Sequence, residues 1–163
     1  MADLTLQDVL TGITPADADA MERAIERQGQ LTKPPGSLGR LESLSVQLAG
    51  IFRTERPSPK GKTVIVAAGD HGVVVQGVTG YLQEVTAQMV LNFLGGGAAI
   101  SAMARKAGVK LVIVDAGVAS DLPAHPTLHV VGIGKGTADM TMGPAMTREQ
   151  AEACVVAGVR LAM

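Results

Sequence analysis

The segment Lys62-Thr63-Val64-Ile65-Val66-Ala67-Ala68, followed at once by Gly69-Asp70-His71-Gly72, decides the fold. A continuous β-branched run without polar alternation is the pattern of a parallel strand covered on both faces. The glycines behind it let the chain turn sharply off the strand end. The same punctuation returns downstream. Val109 to Asp115 is a second apolar run that stops at Ala116-Gly117, and Leu128 to Ile133 is a third, more polar one. Between the first two lie Glu84 to Leu94, patterned as a helix, and Ala98 to Ala107, a small-residue helix closed by Gly108. Thr147 opens a last helix, with capping-box spacing to Gln150, that runs to Met163. Strand–helix–strand alternation predicts an α/β fold, a parallel sheet with helices on both faces. Ligands of such sheets bind along the edge formed by the C-terminal ends of the strands.

Upstream of Lys62 the pattern is helical. Leu4 to Leu10 forms a short helix. A second starts with Thr14 as N-cap and Pro15 at the first position, Asp17 and Asp19 favouring its positive end. Ala18, Met21, Ala24 and Ile25 share its apolar face, and it ends at Gly29. Pro34-Pro35 excludes regular helix before Gly36. Ser37 then caps a third helix with Leu41, Leu44, Leu48 and Ile51 on one side. The expected division is a helical segment over 1–55 and a partial α/β domain over 56–163.

Composition narrows the function. The chain of 163 residues suits a single domain, and 14 basic against 15 acidic residues leave a net charge of −1. That balance gives no electrostatic footing for nucleic acid or an anionic membrane. Phe52, Phe93 and Tyr81 are the only aromatics, too few for a base-stacking platform. Cys154 is the single cysteine, which excludes an intrachain disulfide framework and a cysteine zinc site; mid-helix among Ala, Val and Gly, it reads as a buried, inert thiol. No run approaches ~18 unbroken apolar residues. Met1 to Leu10 carries Asp3 and Asp8 and lacks the features of a signal peptide. The expectation is a cytoplasmic protein that spans no membrane.

Asp70-His71 is the sharpest local feature. A carboxylate beside an imidazole at a strand end suits acid–base work or the orientation of a polar substrate. Equally, Asp70 caps the turn and His71 holds the loop. Tyr81, in the loop Gly77-Val78-Thr79-Gly80-Tyr81, faces a ligand or caps the core. Glu84 and Gln88 share a helix face, most simply a solvated one. Gly95-Gly96-Gly97 lies between helices and lacks phosphate-loop spacing, which favours close packing over anion binding. Asp115 binds a ribose hydroxyl or caps its own turn. Lys135, in Gly132-Ile133-Gly134-Lys135-Gly136-Thr137, offers a weak phosphate contact. His125 and His129 flank Pro126 in a loop without the convergence a metal needs, so no metal and no cofactor is expected.

Taken together, several segments resemble one family. They are Lys33-Pro34-Pro35-Gly36-Ser37-Leu38-Gly39-Arg40-Leu41-Glu42, Gly69-Asp70-His71-Gly72-Val73, Glu84-Val85-Thr86 with Gln88-Met89-Val90, Asn92-Phe93-Leu94, Gly96-Gly97-Ala98-Ala99-Ile100, Val114-Asp115-Ala116-Gly117-Val118 and Gly143-Pro144-Ala145-Met146-Thr147. In that order they resemble the N-terminal half of nicotinate-nucleotide–dimethylbenzimidazole phosphoribosyltransferase. The resemblance implies a Rossmann-like domain beside a small helical domain built from both chain ends, and a homodimer. It implies transfer of phosphoribose from nicotinate mononucleotide to 5,6-dimethylbenzimidazole, giving α-ribazole 5′-phosphate and nicotinate for the lower ligand of cobalamin. One ring nitrogen attacks the anomeric carbon while a glutamate removes the proton from the other. That glutamate, and the Gly-Glu-x-Gly segment that binds the nucleotide, are expected beyond Met163.

The resemblance places Tyr81, Gln88 and Met89 around the benzimidazole, with Asp70 and His71 nearby. Leu82 stands where many members have Pro, and Asp139 where a Gly-Thr-x-Asn pattern expects Asn. The family enzymes are about twice as long, so the chain is expected to be inactive alone, as a truncated or split form. The alternative is a non-catalytic binding or interaction module that keeps the benzimidazole pocket. Three strands without the remaining half leave apolar faces and an open edge, so self-association is expected.

Overall fold

The computed structural model describes residues 4–163, and the chain divides into two compact units. One is helical and spans Leu10–Lys60; the other is α/β and comprises Gly61–Met163 with the residues up to Val9. The elements in chain order are helix α1 (Leu6–Gly12), α2 (Ala18–Gln30), α3 (Arg40–Phe52), strand β1 (Thr63–Ala68), α4 (Glu84–Leu94), α5 (Ala99–Ala107), β2 (Lys110–Asp115), β3 (Leu128–Val130) and α6 (Arg148–Ala162). A 3₁₀ turn over Gly72–Gln76 separates β1 from α4.

In the helical unit α2 begins later than Thr14-Pro15 predicts. Asp17 is the N-cap, its Oδ1 accepting from the Ala20 amide at 2.7 Å. Here the better side-chain acceptor displaces proline's preference for the first position. α3 likewise starts at Arg40, not behind Ser37. Residues 35–39 form consecutive turns with Gly36 and Gly39 at positive φ, and Glu42 Oε1 reaches back to the Leu38 amide at 3.1 Å. α2 and α3 pack through small residues. Ala20, Ala24 and Ala49 are buried, and a Cβ on Gly50 would stand 2.7 Å from Met21 Cγ and Sδ. Leu41, Leu44 and Ile51, read as one apolar face, are exposed.

The α/β unit carries the predicted parallel sheet in the order β1-β2-β3. Register runs from Thr63 opposite Lys110 to Ala68 opposite Asp115, and β3 joins at Ile113 opposite Leu128. Central β2 buries Val112, Ile113 and Val114. β1 differs from its sequence pattern. It lies at the sheet edge, each alternate residue is exposed, and Ile65 is 44% exposed, so its β-branched run is not covered on both faces. β3 is shorter than predicted, ending at Val130 before the glycine-rich stretch. Val90 of α4 packs with Ile113 and Val118 in the core.

The 24-residue stretch Glu84–Ala107 has the length and apolarity of a membrane span. Gly96, at φ +74°, breaks it into helices of 11 and 9 residues, each far shorter than the ~20 residues that a bilayer core requires. Gly97 lies so close to Asn92 that a Cβ there would collide with the amide oxygen, and Arg105 Nη1 donates to Gly96 O at 3.0 Å. These contacts are the close packing predicted for the triple glycine.

Candidate functional site

The site forms where β1 and β2 end. Behind β2, Asp115 Oδ1 accepts from the amides of Gly117 (2.9 Å) and Val118 (2.8 Å), so Asp115 caps its own turn. Behind β1, Asp70 is only 6% exposed. Its Oδ1 accepts from Thr86 Oγ1 at 2.7 Å and its Oδ2 from the Ala119 amide at 2.8 Å. Its amide donates to Gly117 O, and its carbonyl accepts from the Thr137 amide, each at 3.0 Å. The next residue, His71, bridges to Thr137 as an isolated parallel pair, with Nδ1 3.3 Å from Thr137 Oγ1.

From there the 3₁₀ turn carries Val73 and Val74 over the sheet end and stops at Gly77, φ +71°. α4 returns alongside it. Between them lies a cavity of about 420 Å³. Val74, Val78, Val85, Met89 and Phe93 give it an apolar wall, and Asp70, His71 and Tyr81 also border it. A second cavity, about 600 Å³, shares Ala68 to His71 as a wall and extends to Thr137, Met146 and Thr147. Cys154 borders that second cavity and is half-buried rather than enclosed, because α6 buries none of its residues.

Of the residues singled out from sequence, Asp70, His71, Tyr81 and Met89 therefore meet at one cavity. Tyr81 is 74% exposed at its rim, so it does not cap the core. Gln88 is exposed and is not part of the cavity wall. The helical repeat gives the reason: Val85, Met89 and Phe93 recur every four residues on one face, and Gln88 is displaced ~100° from Met89. Sequence reasoning missed Val85, Thr86 and Phe93, which the same repeat counted from Met89 brings onto or beside that face. It also missed the 3₁₀ turn, since Val73-Val74-Val75 carries no helical period. Lys135 pairs with Asp121 on the surface and lines neither of these cavities.

Asp139 holds the turn in place. Gln76 Nε2 donates to Asp139 Oδ2 at 2.7 Å, and the Thr141 amide and hydroxyl donate to Oδ1 at 2.9 and 2.8 Å. The Gln76 hydrogen bond, with those from Thr141, holds the Asp139 carboxyl below its ordinary range. The site as a whole offers a largely apolar cavity, an imidazole on its border, and a carboxylate whose two oxygens both accept hydrogen bonds.

Known proteins resemble the chain in sequence and in fold. A phosphoribosyltransferase family model matches residues 13–163. Nicotinate-nucleotide–dimethylbenzimidazole phosphoribosyltransferase of Deinococcus radiodurans is 54% identical over 96% of this chain and 45% of the relative. The Roseiflexus sp. enzyme of the same name is 52% identical over 96% of this chain and 44% of its own length. The crystal structure of the Thermus thermophilus enzyme superposes with a TM-score of 0.82 at 46% identity, over 88% of this chain and 44% of that one. The chain thus spans about 45% of the length of the curated relatives it matches.

Proposed function

This chain belongs to the nicotinate-nucleotide–dimethylbenzimidazole phosphoribosyltransferase family, and from that premise we propose that its α/β unit supplies the pocket that holds the aromatic base during phosphoribosyl transfer. The observation that carries the reading is the 420 Å³ cavity at the end of β1, walled by valines, Met89 and Phe93. A flat, weakly polar bicycle such as 5,6-dimethylbenzimidazole gains from leaving water there, at about 25 cal/mol for each Å² of apolar surface buried. Holding the ring at a fixed angle is the chemical contribution, because a positioned nucleophile turns a bimolecular attack on the anomeric carbon into a nearly unimolecular one.

In this reading Met89, Val85 and Phe93 clamp the ring, Tyr81 closes the rim, and His71 lies at the mouth. Gln88 reaches the base only from outside that wall. The donor is nicotinate mononucleotide, and the products are α-ribazole 5′-phosphate and nicotinate. The proton-removing glutamate belongs to the portion of the relatives that this chain does not span, so turnover requires that portion. The working state is a cytoplasmic homodimer; exposed Leu41, Ile51 and Ile65 are apolar surface that association would cover.

Calorimetric titration of the chain with 5,6-dimethylbenzimidazole tests the pocket. Saturable one-site heat is expected, together with no α-ribazole 5′-phosphate when nicotinate mononucleotide is added. Absence of heat up to the solubility limit of the base overturns the pocket, and turnover by the chain alone overturns the assignment of the base elsewhere.

A further inference from the structure

We propose that Asp70 is a positioning residue: its carboxylate fixes α4 against the end of β1 and so sets the width of the apolar cavity, without itself meeting the ring. The assignment deepens the base-pocket reading and rests on it for its binding test.

Three observations carry it. First, α4 begins without a side-chain cap on Gln83; the Val85 and Thr86 amides close its first turn locally on Leu82 O and Gln83 O, and a side chain of that turn ties it to the end of β1. Thr86, on that first turn, donates to Asp70 Oδ1 at 2.7 Å. One turn further along stands Met89, the middle of the cavity wall. Second, three successive amides behind β2 are shared between two carboxylates. Asp115 takes those of Gly117 and Val118, and Asp70 takes that of Ala119. Third, the Asp70 backbone ties in Gly117 and Thr137, and Gly136 makes way for it: at φ +89°, a Cβ there would stand 3.0 Å from Asp70 O. One residue therefore joins the β1 end, α4, the turn after β2 and the 134–137 loop. Each carboxylate oxygen already accepts a hydrogen bond from the protein and the residue is 6% exposed, so both oxygens of Asp70 are anchored to the fold.

Asparagine separates a positioning role from a ligand contact through charge. Its amide oxygen can accept from the Ala119 amide, and its NH₂ can donate to the Thr86 hydroxyl, which is also an acceptor. The clasp survives while the charge is removed. Alanine removes the clasp and leaves the Ala119 amide without its partner.

The test uses the full chain with Asp70→Asn, Asp70→Ala, Thr86→Ser and Thr86→Val, each titrated with 5,6-dimethylbenzimidazole and followed by amide hydrogen exchange. Asp70→Ala is expected to weaken the base roughly tenfold and Thr86→Val roughly threefold, while Asp70→Asn and Thr86→Ser stay within about twofold. Exchange at Ala119 and along the first turns of α4 should quicken in Asp70→Ala and not in Asp70→Asn. If Asp70→Asn is as weak a binder as Asp70→Ala, or if Asp70→Ala binds as the parent does, the positioning role is overturned. If Asp70→Ala does not fold, the Thr86→Val and Thr86→Ser pair makes the same contrast. If the parent chain takes no base at all, the pocket reading falls separately. The exchange arm then decides alone: faster exchange along the first turns of α4 in Asp70→Ala and Thr86→Val, and not in Asp70→Asn or Thr86→Ser, supports the clasp, and equal exchange in all variants overturns it.

Discussion

Gly72 runs so close to Asp139 that a Cβ on it would stand 2.6 Å from the Asp139 amide nitrogen. The carbonyl carbon of Ala138 and the carbonyl oxygen of Thr137 would lie 2.7 and 2.8 Å away. All three are backbone atoms, in a segment pinned by Gly72 N donating to Thr137 O at 3.0 Å and by Gln76 donating to Asp139. None can move aside cheaply. Gly72→Ala is therefore expected to destabilise the α/β unit by about 1–3 kcal/mol, the usual range for overpacking a closed contact. Chemical denaturation monitored by circular dichroism measures it, and a cost near zero would show that the 137–139 segment gives way.

The sheet was legible because its determinants are local and repetitive. β-branched runs ended by glycine located β1 and β2 within a residue, and Thr147 with Gln150 located the start of α6. Helix starts in the other unit were less legible, because Thr14-Pro15 and Ser37 are acceptable starts that lose to Asp17 and to the Gly36–Gly39 turns. β1 misled in another way. Its sequence is that of a covered strand, whereas its position is an edge, and a strand's composition reports what can cover it, not what does. At the site, Asp70, His71, Tyr81 and Met89 were legible as candidates. The link from Asp70 to Ala119, 49 residues away, was not, since no sequence period encodes a contact between two loops.

α6 buries none of its residues, so its capping box should matter more than usual. The Gln150 amide donates to Thr147 Oγ1 at 3.2 Å, and the Thr147 amide donates to Gln150 Oε1 at 2.8 Å. Thr147→Ala is expected to cost about 1 kcal/mol and Thr147→Ser a few tenths at most. Hydrogen exchange along 148–155 checks this: only the alanine variant should lose protection in the first two turns.

In the helical unit, Lys33 Nζ lies 2.7 Å from Glu42 Oε1, which also accepts from the Leu38 amide at 3.1 Å. The lysine hydrogen bond first, and the Leu38 amide second, hold the Glu42 carboxyl below its ordinary value of 4.5. The folded value is thus lower than the unfolded one. The contribution is complete above pH 4.5 and is lost as pH falls through the folded value. Thermal melts of the chain should shift to lower temperature below that pH. Glu42→Gln should melt lower at neutral pH and show a smaller further drop on acidification. An unchanged acid dependence in that variant would remove Glu42 as its source.

Met89 and Gln88 are neighbours in sequence that the helix sends in different directions, and this separates the cavity from the surface beside it. Met89 is 39% exposed, so a larger side chain can be accommodated at that position without breaking the core. Met89→Trp fills the slot between the 3₁₀ turn and α4, and the expected result is at least a roughly tenfold loss of 5,6-dimethylbenzimidazole affinity with an unchanged melting temperature. Gln88 is exposed and off the wall, so Gln88→Ala is expected to change affinity by less than about twofold, the effect of a surface substitution. A loss at Gln88 equal to that at Met89 would place the ring within reach of both side chains, as the family resemblance implies, and not inside the cavity alone. Undiminished binding by Met89→Trp would mean that the ring does not enter the cavity. Calorimetry on the two variants side by side therefore reads out which flank of one helix turn the base occupies.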